Sequence, residues 1–211
     1  LSKVIDATPV SKSKDISPQE PMKNPPSVIK AVYITSWSAG TSSRVDYIID
    51  LIDKTELNAV VVDIKDYSGY VAYQTNIEEV HKYGAQQIRI SKINSLIKKL
   101  HDKNIYVIGR VTVFQDPILA KARPDLAIKN SVNDSLWTDK KGLSWMDPAS
   151  REVWNYNISI AKDAASRGFD EINFDYVRFP SDGNLDLMKF PSYDSSKPKE
   201  DSIKDFFSFL R

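Results

Sequence analysis

Residues 169–180 read FDEINFDYVRFP, in which apolar and polar side chains alternate. On a strand this spacing puts Ile172 and Phe174 on one face and Glu171, Asn173 and Asp175 on the other. Three polar groups on one face of a buried strand need partners or a purpose. Two other apolar runs carry ionisable residues in the same way. In NAVVVDIK (58–65), Val60 and Val62 share one face and Val61, Asp63 and Lys65 the other. In IYVIGRVTVF (105–114), Arg110 and Thr112 share a face with Ile108. Side by side, these strands converge carboxylates and cations on one cavity. Asp175 sits at the C-terminal end of its strand, where parallel α/β proteins hold their sites. Arg178 can keep Asp175 ionised or bind a substrate hydroxyl, and Arg110 can orient it or bind an anionic group. The competing reading is a buried ion network, with Arg110 paired to Glu171 and Asp63 to Lys65 for mutual neutralisation. Glu171, low on its strand, fits that reading as well as the first.

Other candidates surround these strands. Asp66 follows the second strand and, with Asp63, completes the carboxylates at that strand end. Trp37, after the first strand, can stack on a ligand ring or pack inside. Tyr67, Tyr70 and Tyr73 carry the same two readings, and SGYVAYQT is spaced as a small hairpin. Trp137 and Trp145 lie in a long connection that can roof a cleft. Trp154 falls on a helix stripe and reads as core, and Asp147 reads as a helix cap. His81 and His101 stand alone, and no His/carboxylate cluster has metal-ligand spacing, so neither metal nor cofactor is expected.

The elements that must position these groups follow a regular alternation. Strands are predicted at 28–35, 58–65, 105–114 and 170–177. Helices are predicted at 42–55, 90–104, 147–168 and from 201 onward. The first helix has its stripe at Val45, Ile48, Ile49 and Ile52 with Ser43 as cap; the second has Ile93, Leu96, Ile97 and Leu100. The third is expected to start at Asp147–Pro148 and stop at Gly168, burying Trp154, Ile158, Ala161 and Ala165. Near-continuous apolar strands alternating with helices mean a parallel α/β sheet, either an open doubly wound sheet or a (β/α)8 barrel. No strand is followed by a glycine-rich phosphate fingerprint, which weighs against a nucleotide-binding sheet. Four βα units make half a barrel, and the last helix runs through Phe206, Phe207 and Leu210 without a stop signal. The expectation is a partial barrel, cut inside or just after its fourth helix. Connections 65–89 and 115–146 follow strand ends and exceed the usual ~2–6 residues, a length that commonly serves a site.

Composition narrows the classes. The 211 residues carry a formal net charge of +1, which argues against nucleic acid as the main partner. There is no cysteine, hence no disulfide framework and no thiolate zinc site. No apolar run approaches the ~18 residues of a membrane span. Residues 1–27 hold five of the eleven prolines and no aromatic residue. They read as a flexible linker, with the folded part at 28–211.

The stretches AVVVDIKDYSGYVAYQT, YVIGRVTVFQDPILAKARPDLAIKN and GLSWMDPASREVWNYNISIAKDAASRGFDEINFDYVRFP together resemble the glycoside hydrolase-like family called domain of unknown function 4015, from about Lys30 to Arg211. The resemblance implies a (β/α)8 barrel acting on carbohydrate, in proteins exported to the bacterial surface. The linker would then attach the barrel to the cell envelope. Glycoside cleavage needs two carboxyl groups, one of them protonated. The resemblance makes Asp175 the nucleophile or base, with Asp63 as its candidate partner, Asp66 beside it, and the alternative that the acid lies beyond Arg211. Family 18 chitinases carry D-G-x-D-x-D-x-E on the corresponding strand. Here the pattern runs Asp170, Glu171, Asn173, Asp175 and ends at Val177, so their proton-donating Glu is absent. Three readings stand at this point: a glycosidase, a carbohydrate-binding barrel without chemistry, and an open α/β domain with an unrelated ligand.

Overall fold

Four runs of branched residues set the frame. In the computed structural model, which describes residues 14–211, they form β1 (Ala31–Ile34), β2 (Ala59–Lys65), β5 (Tyr106–Thr112) and β7 (Glu171–Asp175). These pair in the order β1–β2–β5–β7, all parallel. Between β1 and β2 lie α1 (Ser36–Ala39) and α2 (Ser42–Asp53). Between β2 and β5 come β3 (Val71–Tyr73), α3 (Glu78–Lys82), β4 (Gln86–Ile90) and α4 (Ile93–His101). Between β5 and β7 come α5 (Pro117–Ala122), β6 (Lys129–Asn130) and α6 (Arg151–Ser166); β8 (Met188–Lys189) and α7 (Lys199–Phe209) follow β7. The hairpin expected within SGYVAYQT does not form: that stretch supplies one strand, β3, which turns back antiparallel to the end of β2, and β4 pairs parallel to β3.

The two faces of the sheet differ. Val60, Val62, Val107 and Val111 are fully buried against Val45, Ile48, Ile49 and Ile52 of α2, Leu96, Ile97 and Leu100 of α4, and Val153, Trp154 and Ile160 of α6. Each such side chain contributes about 1.5–3 kcal/mol of burial. The stripes expected for α2 and α4 are the buried ones. In α6 the expected Trp154 and Ala161 are buried, and so are Val153, Tyr156, Ile160 and Ala164, while Ile158 is only half-buried and Ala165 is exposed. The opposite face carries a small apolar group of Ala59, Tyr106 and Ile108 at the start of the strands, and polar residues above it.

Two expectations change at the helix ends. α6 is capped by Ser150, whose hydroxyl accepts from Val153 N, and not by Asp147. The Asp147 carboxylate instead accepts from Ala149 N and, across the chain, from Ser192 N and Tyr193 N. Complete burial pushes its pKa up against those three donors.

Half of the expected linker, residues 1–13, lies outside the described residues. Of the other half, Asp15–Met22 is a strap fastened to the body. Asp15 accepts from Asn94 N, Ser95 N and the Ser95 hydroxyl in the first turn of α4. Gln19 N bonds to Arg167 O at the end of α6. A Cβ at Gly168, whose φ is +100°, would stand 2.5 Å from the Gln19 carbonyl oxygen, so the strap passes where only glycine leaves room. Met22 N donates to Asp170 at 2.6 Å, and Met22 packs on Ala59, Tyr106 and Ile108.

Candidate active site

Register brings the ionisable residues together. Asp63 on β2 lies directly opposite Arg110 on β5, and Asp175 follows at the end of β7, opposite Thr112. The Arg110 guanidinium bridges the two carboxylates. Its Nη1 donates to Asp63 Oδ1 at 2.6 Å, while Nε and Nη2 donate to Asp175 Oδ2 at 2.8 and 2.6 Å. Burial alone would lower the Arg110 pKa, but its bonds to Asp63 and Asp175 outweigh this and raise it, so the guanidinium stays charged. The other Asp63 oxygen accepts from the Tyr33 hydroxyl of β1. Burial and the Asp63 carboxylate push the Tyr33 phenol far up, which keeps it a donor. A line Tyr33–Asp63–Arg110–Asp175 thus crosses all four strands.

The two carboxylates differ in access. The Asp63 side chain is 4% exposed and each of its oxygens accepts a bond from within the sheet; that of Asp175 is 45% exposed. Asp175 Oδ1 accepts from Tyr176 N at 2.6 Å. Tyr176 holds φ of +54°, a costly conformation for a tyrosine, and its ring lies within 6.0 Å of the Arg110 guanidinium and 5.3 Å of that of Arg178.

The remaining predicted residues separate into groups. Asn173 is exposed on the polar face, opposite Arg110. Glu171 is exposed at the other end of the strand, opposite Ile108 and beside Tyr106, so its expected pairing with Arg110 does not form. Arg178 does not meet Asp175; it bonds to Ser181 Oγ at 2.7 Å and lies over Trp145. Trp145 and Trp137 are buried within the loop layer instead of facing a cleft.

Lys65 is a correction. Alternation places it beside Asp63, but the register shifts between the two: Asp63 pairs with Arg110 and Lys65 with Val111. This bulge turns Lys65 to the helix side. There it is fully buried, its Nζ 2.7 Å from Asp116 Oδ2, 2.6 Å from Thr112 O and 3.2 Å from Asn157 Oδ1. It neither pairs with Asp63 nor reaches the site.

Asp66, Tyr67 and Trp37 form a second group on the rim of β1 and β2. Asp66 is held by Arg89 at 2.5 Å; Tyr67 and Trp37 are 56% and 60% exposed. The Arg89 guanidinium lies over the Trp37 ring, 5.0 Å from its centroid. Tyr33, Arg89 and Tyr176 were not among the sequence candidates. Tyr33 alone left a readable sign, an aromatic residue amid the aliphatic ones of VIKAVYIT.

The long connections build one side of the rim. β6 pairs with β8, Ser131 N bonds to Leu187 O, and Trp137 Nε1 donates to Asn184 O at 2.8 Å. The loops after β5 and β7 are therefore joined. Among the described residues, no group of His, Cys, Asp or Glu is arranged to hold a metal ion.

Comparison with known proteins adds the context. A family model described as "Putative glycosyl hydrolase domain" matches residues 31–211. The crystal structure of a hypothetical protein from Ruminiclostridium thermocellum ATCC 27405 is 42% identical, with a TM-score of 0.78, over 85% of this chain and 90% of that one. The alpha-galactosidase AgaA of Geobacillus stearothermophilus, solved with stachyose, superposes with a TM-score of 0.52 at 12% identity over 86% of this chain. A family GH13_31 enzyme does so at 0.52 and 14%, also over 86% of this chain. This chain spans 25% and 44% of those two. At such identities the likeness speaks to fold alone: an α/β fold with a parallel-dominated sheet, shared with TIM-barrel glycosidases. A search of the curated proteins finds no match.

Proposed function

The chain belongs to the family described as "Putative glycosyl hydrolase domain", and from this premise we propose that it forms the first half of a (β/α)8 barrel that cleaves a poly- or oligosaccharide with Asp175 as its central carboxylate. The observation that carries the reading is Asp175 itself: half-exposed, at the C-terminal end of β7, with its charge held by Arg110 and by Tyr176 N. The barrel is supported by the contrast between a buried outer face and an axial face that leaves Asn173, Glu171 and Tyr33 exposed. It is supported also by β1 and β7, which among the described residues each pair on one side only.

In this reading Asp175 attacks the anomeric carbon or activates a water that does so. The C–O bond to the leaving sugar breaks, and a protonated carboxyl supplies that oxygen with its proton. Both Asp63 oxygens are occupied and Asp66 is paired with Arg89, so the reading gives Asp63 a positioning role and assigns the proton donor to the remaining strands of the barrel. A carbohydrate substrate goes with it. So does an extracellular or cell-surface location, on the strength of the proline-rich N-terminal stretch and the family resemblance alone. A second reading, binding without cleavage, is favoured by one fact: Asp175 Oδ2 already accepts two N–H donors, which tempers its nucleophilicity.

Asp175→Asn separates the readings, since the amide keeps size and much of the bonding. Turnover on a polysaccharide panel should fall by at least ~10³ with the fold retained. Unchanged turnover with a lowered melting temperature would return Asp175 to a structural ion pair.

A further inference from the structure

We propose that Trp37, braced from beneath by Arg89, is a platform for a sugar ring remote from the one that meets Asp175, so that the site takes an oligosaccharide chain in preference to a single-sugar glycoside. The proposal rests on the glycosidase reading above.

The brace is built with unusual completeness. The Arg89 side chain is only 5% exposed. Its Nε and Nη2 donate to Gln87 Oε1, Nη2 also to Ser68 Oγ at 3.0 Å, and Nη1 to Asp66 Oδ2 and to Ser36 Oγ at 3.1 Å. A guanidinium so satisfied is fixed in plane, and it does not need the indole for neutralisation. The guanidinium lies over one face of the Trp37 ring, and 60% of the residue is open to solvent. The close seat of α1 on β4 depends on Gly40, where a Cβ would stand 1.9 Å from the Arg89 carbonyl oxygen. The same guanidinium anchors a second aromatic residue. Asp66 and Ser68 both grip Arg89, and Tyr67 between them is exposed. One buried cation thus lies over the Trp37 ring of α1 and grips the residues on either side of the exposed Tyr67.

The chemistry of these surfaces selects the ligand. A held aromatic face with one open side suits the C–H-rich face of a pyranose ring. An anion would find Arg89 sealed beneath the indole and meet Asp66 beside it. Position selects the length. Trp37 follows β1 and Asp175 ends β7, three strand spacings apart, roughly 14 Å along the sheet. A ring on Trp37 is therefore a different ring from the one at Asp175.

The experiment uses the protein expressed from its complete reading frame. Aryl glycosides carrying one sugar are compared with the corresponding oligosaccharides of increasing length, in Trp37→Ala, Trp37→Phe and Arg89→Lys, with melting temperatures measured alongside. Trp37→Ala should raise KM for the longer substrates by about tenfold, leaving kcat and the single-sugar substrates unchanged. Trp37→Phe should recover part of that loss. Arg89→Lys, which keeps the charge but loses the planar stack, should reproduce the same KM-only change on long substrates. Turnover with a KM that ignores Trp37 at every length, or a loss equal on short and long substrates, overturns the platform and leaves the glycosidase reading standing. Long oligosaccharides bound in a Trp37-dependent way without any turnover support the platform and overturn the glycosidase reading.

Discussion

Arg110 is one cation shared by two carboxylates, with two of its bonds on the half-exposed Asp175 and one on the buried Asp63. Asp63 holds Arg110 directly, and Tyr33 acts on it through Asp63. Asp63→Asn should weaken the hold on Arg110 and cost about 1.5–3 kcal/mol of stability, with a smaller loss of turnover than Asp175→Asn. Tyr33→Phe should cost about 1–2 kcal/mol by leaving a buried carboxylate oxygen without its donor. Denaturant midpoints and steady-state kinetics measure both. A loss from Asp63→Asn as deep as that from Asp175→Asn would make Asp63 a reacting group. Asp63, Arg110 and Asp175 were legible because strict alternation carries all three to one face. Tyr33 was not, since its value lies in a bond to a strand whose pairing no local pattern states.

Among the elements, β2 departs furthest from its expected form. A period of two cannot survive an inserted residue, and the shift after Asp63 sends the next charged side chain to the opposite side of the sheet. Behind the sheet, Lys65 and Asp116 are both fully buried, and Asp116 Oδ1 also caps α5 through Leu119 N. Lys65→Met should destabilise by about 3–5 kcal/mol, because it strands a buried carboxylate. Lys65→Met combined with Asp116→Asn should recover much of the loss, since the amide keeps the cap without the charge. Urea unfolding of both variants tests this; equal losses would mean the pair is not coupled. The strands and long helices were readable from periodicity, with boundaries off by a few residues. The start of α6 was not, because Asp147 and Ser150 are both good caps, and what draws Asp147 away is a loop 45 residues later in the chain.

Over the whole molecule, a segment whose composition suggests a tether closes the underside of the sheet. Composition measures what a segment can bury by itself, and Asp15–Met22 buries little; it is held by donors and acceptors supplied elsewhere. Asp170 is the chief of these, accepting from Met22 N, Val107 N and the His101 ring. Burial pushes its pKa up, but His101 and the two backbone N–H groups outweigh this and hold it below the ordinary carboxylate value. A depressed carboxylate stabilises the fold above its unfolded pKa of about 4 and loses that contribution as pH falls through the lower folded value. Asp170→Asn should therefore lower the melting temperature near neutral pH, and the gap to the parent should narrow as pH falls below about 4. A gap that is constant with pH would show that charge plays no part.

The joined loops after β5 and β7 bear on how this architecture can be altered. Barrels of repeated βα units are commonly treated as modular, each loop exchangeable without regard to the next. Here the partners of β6 lie in β8, Trp137 Nε1 donates to Asn184, and Asp147 holds Ser192 and Tyr193. A graft replacing one loop alone would leave the other with open backbone groups and a buried carboxylate without its donors. The two must be transplanted as one piece.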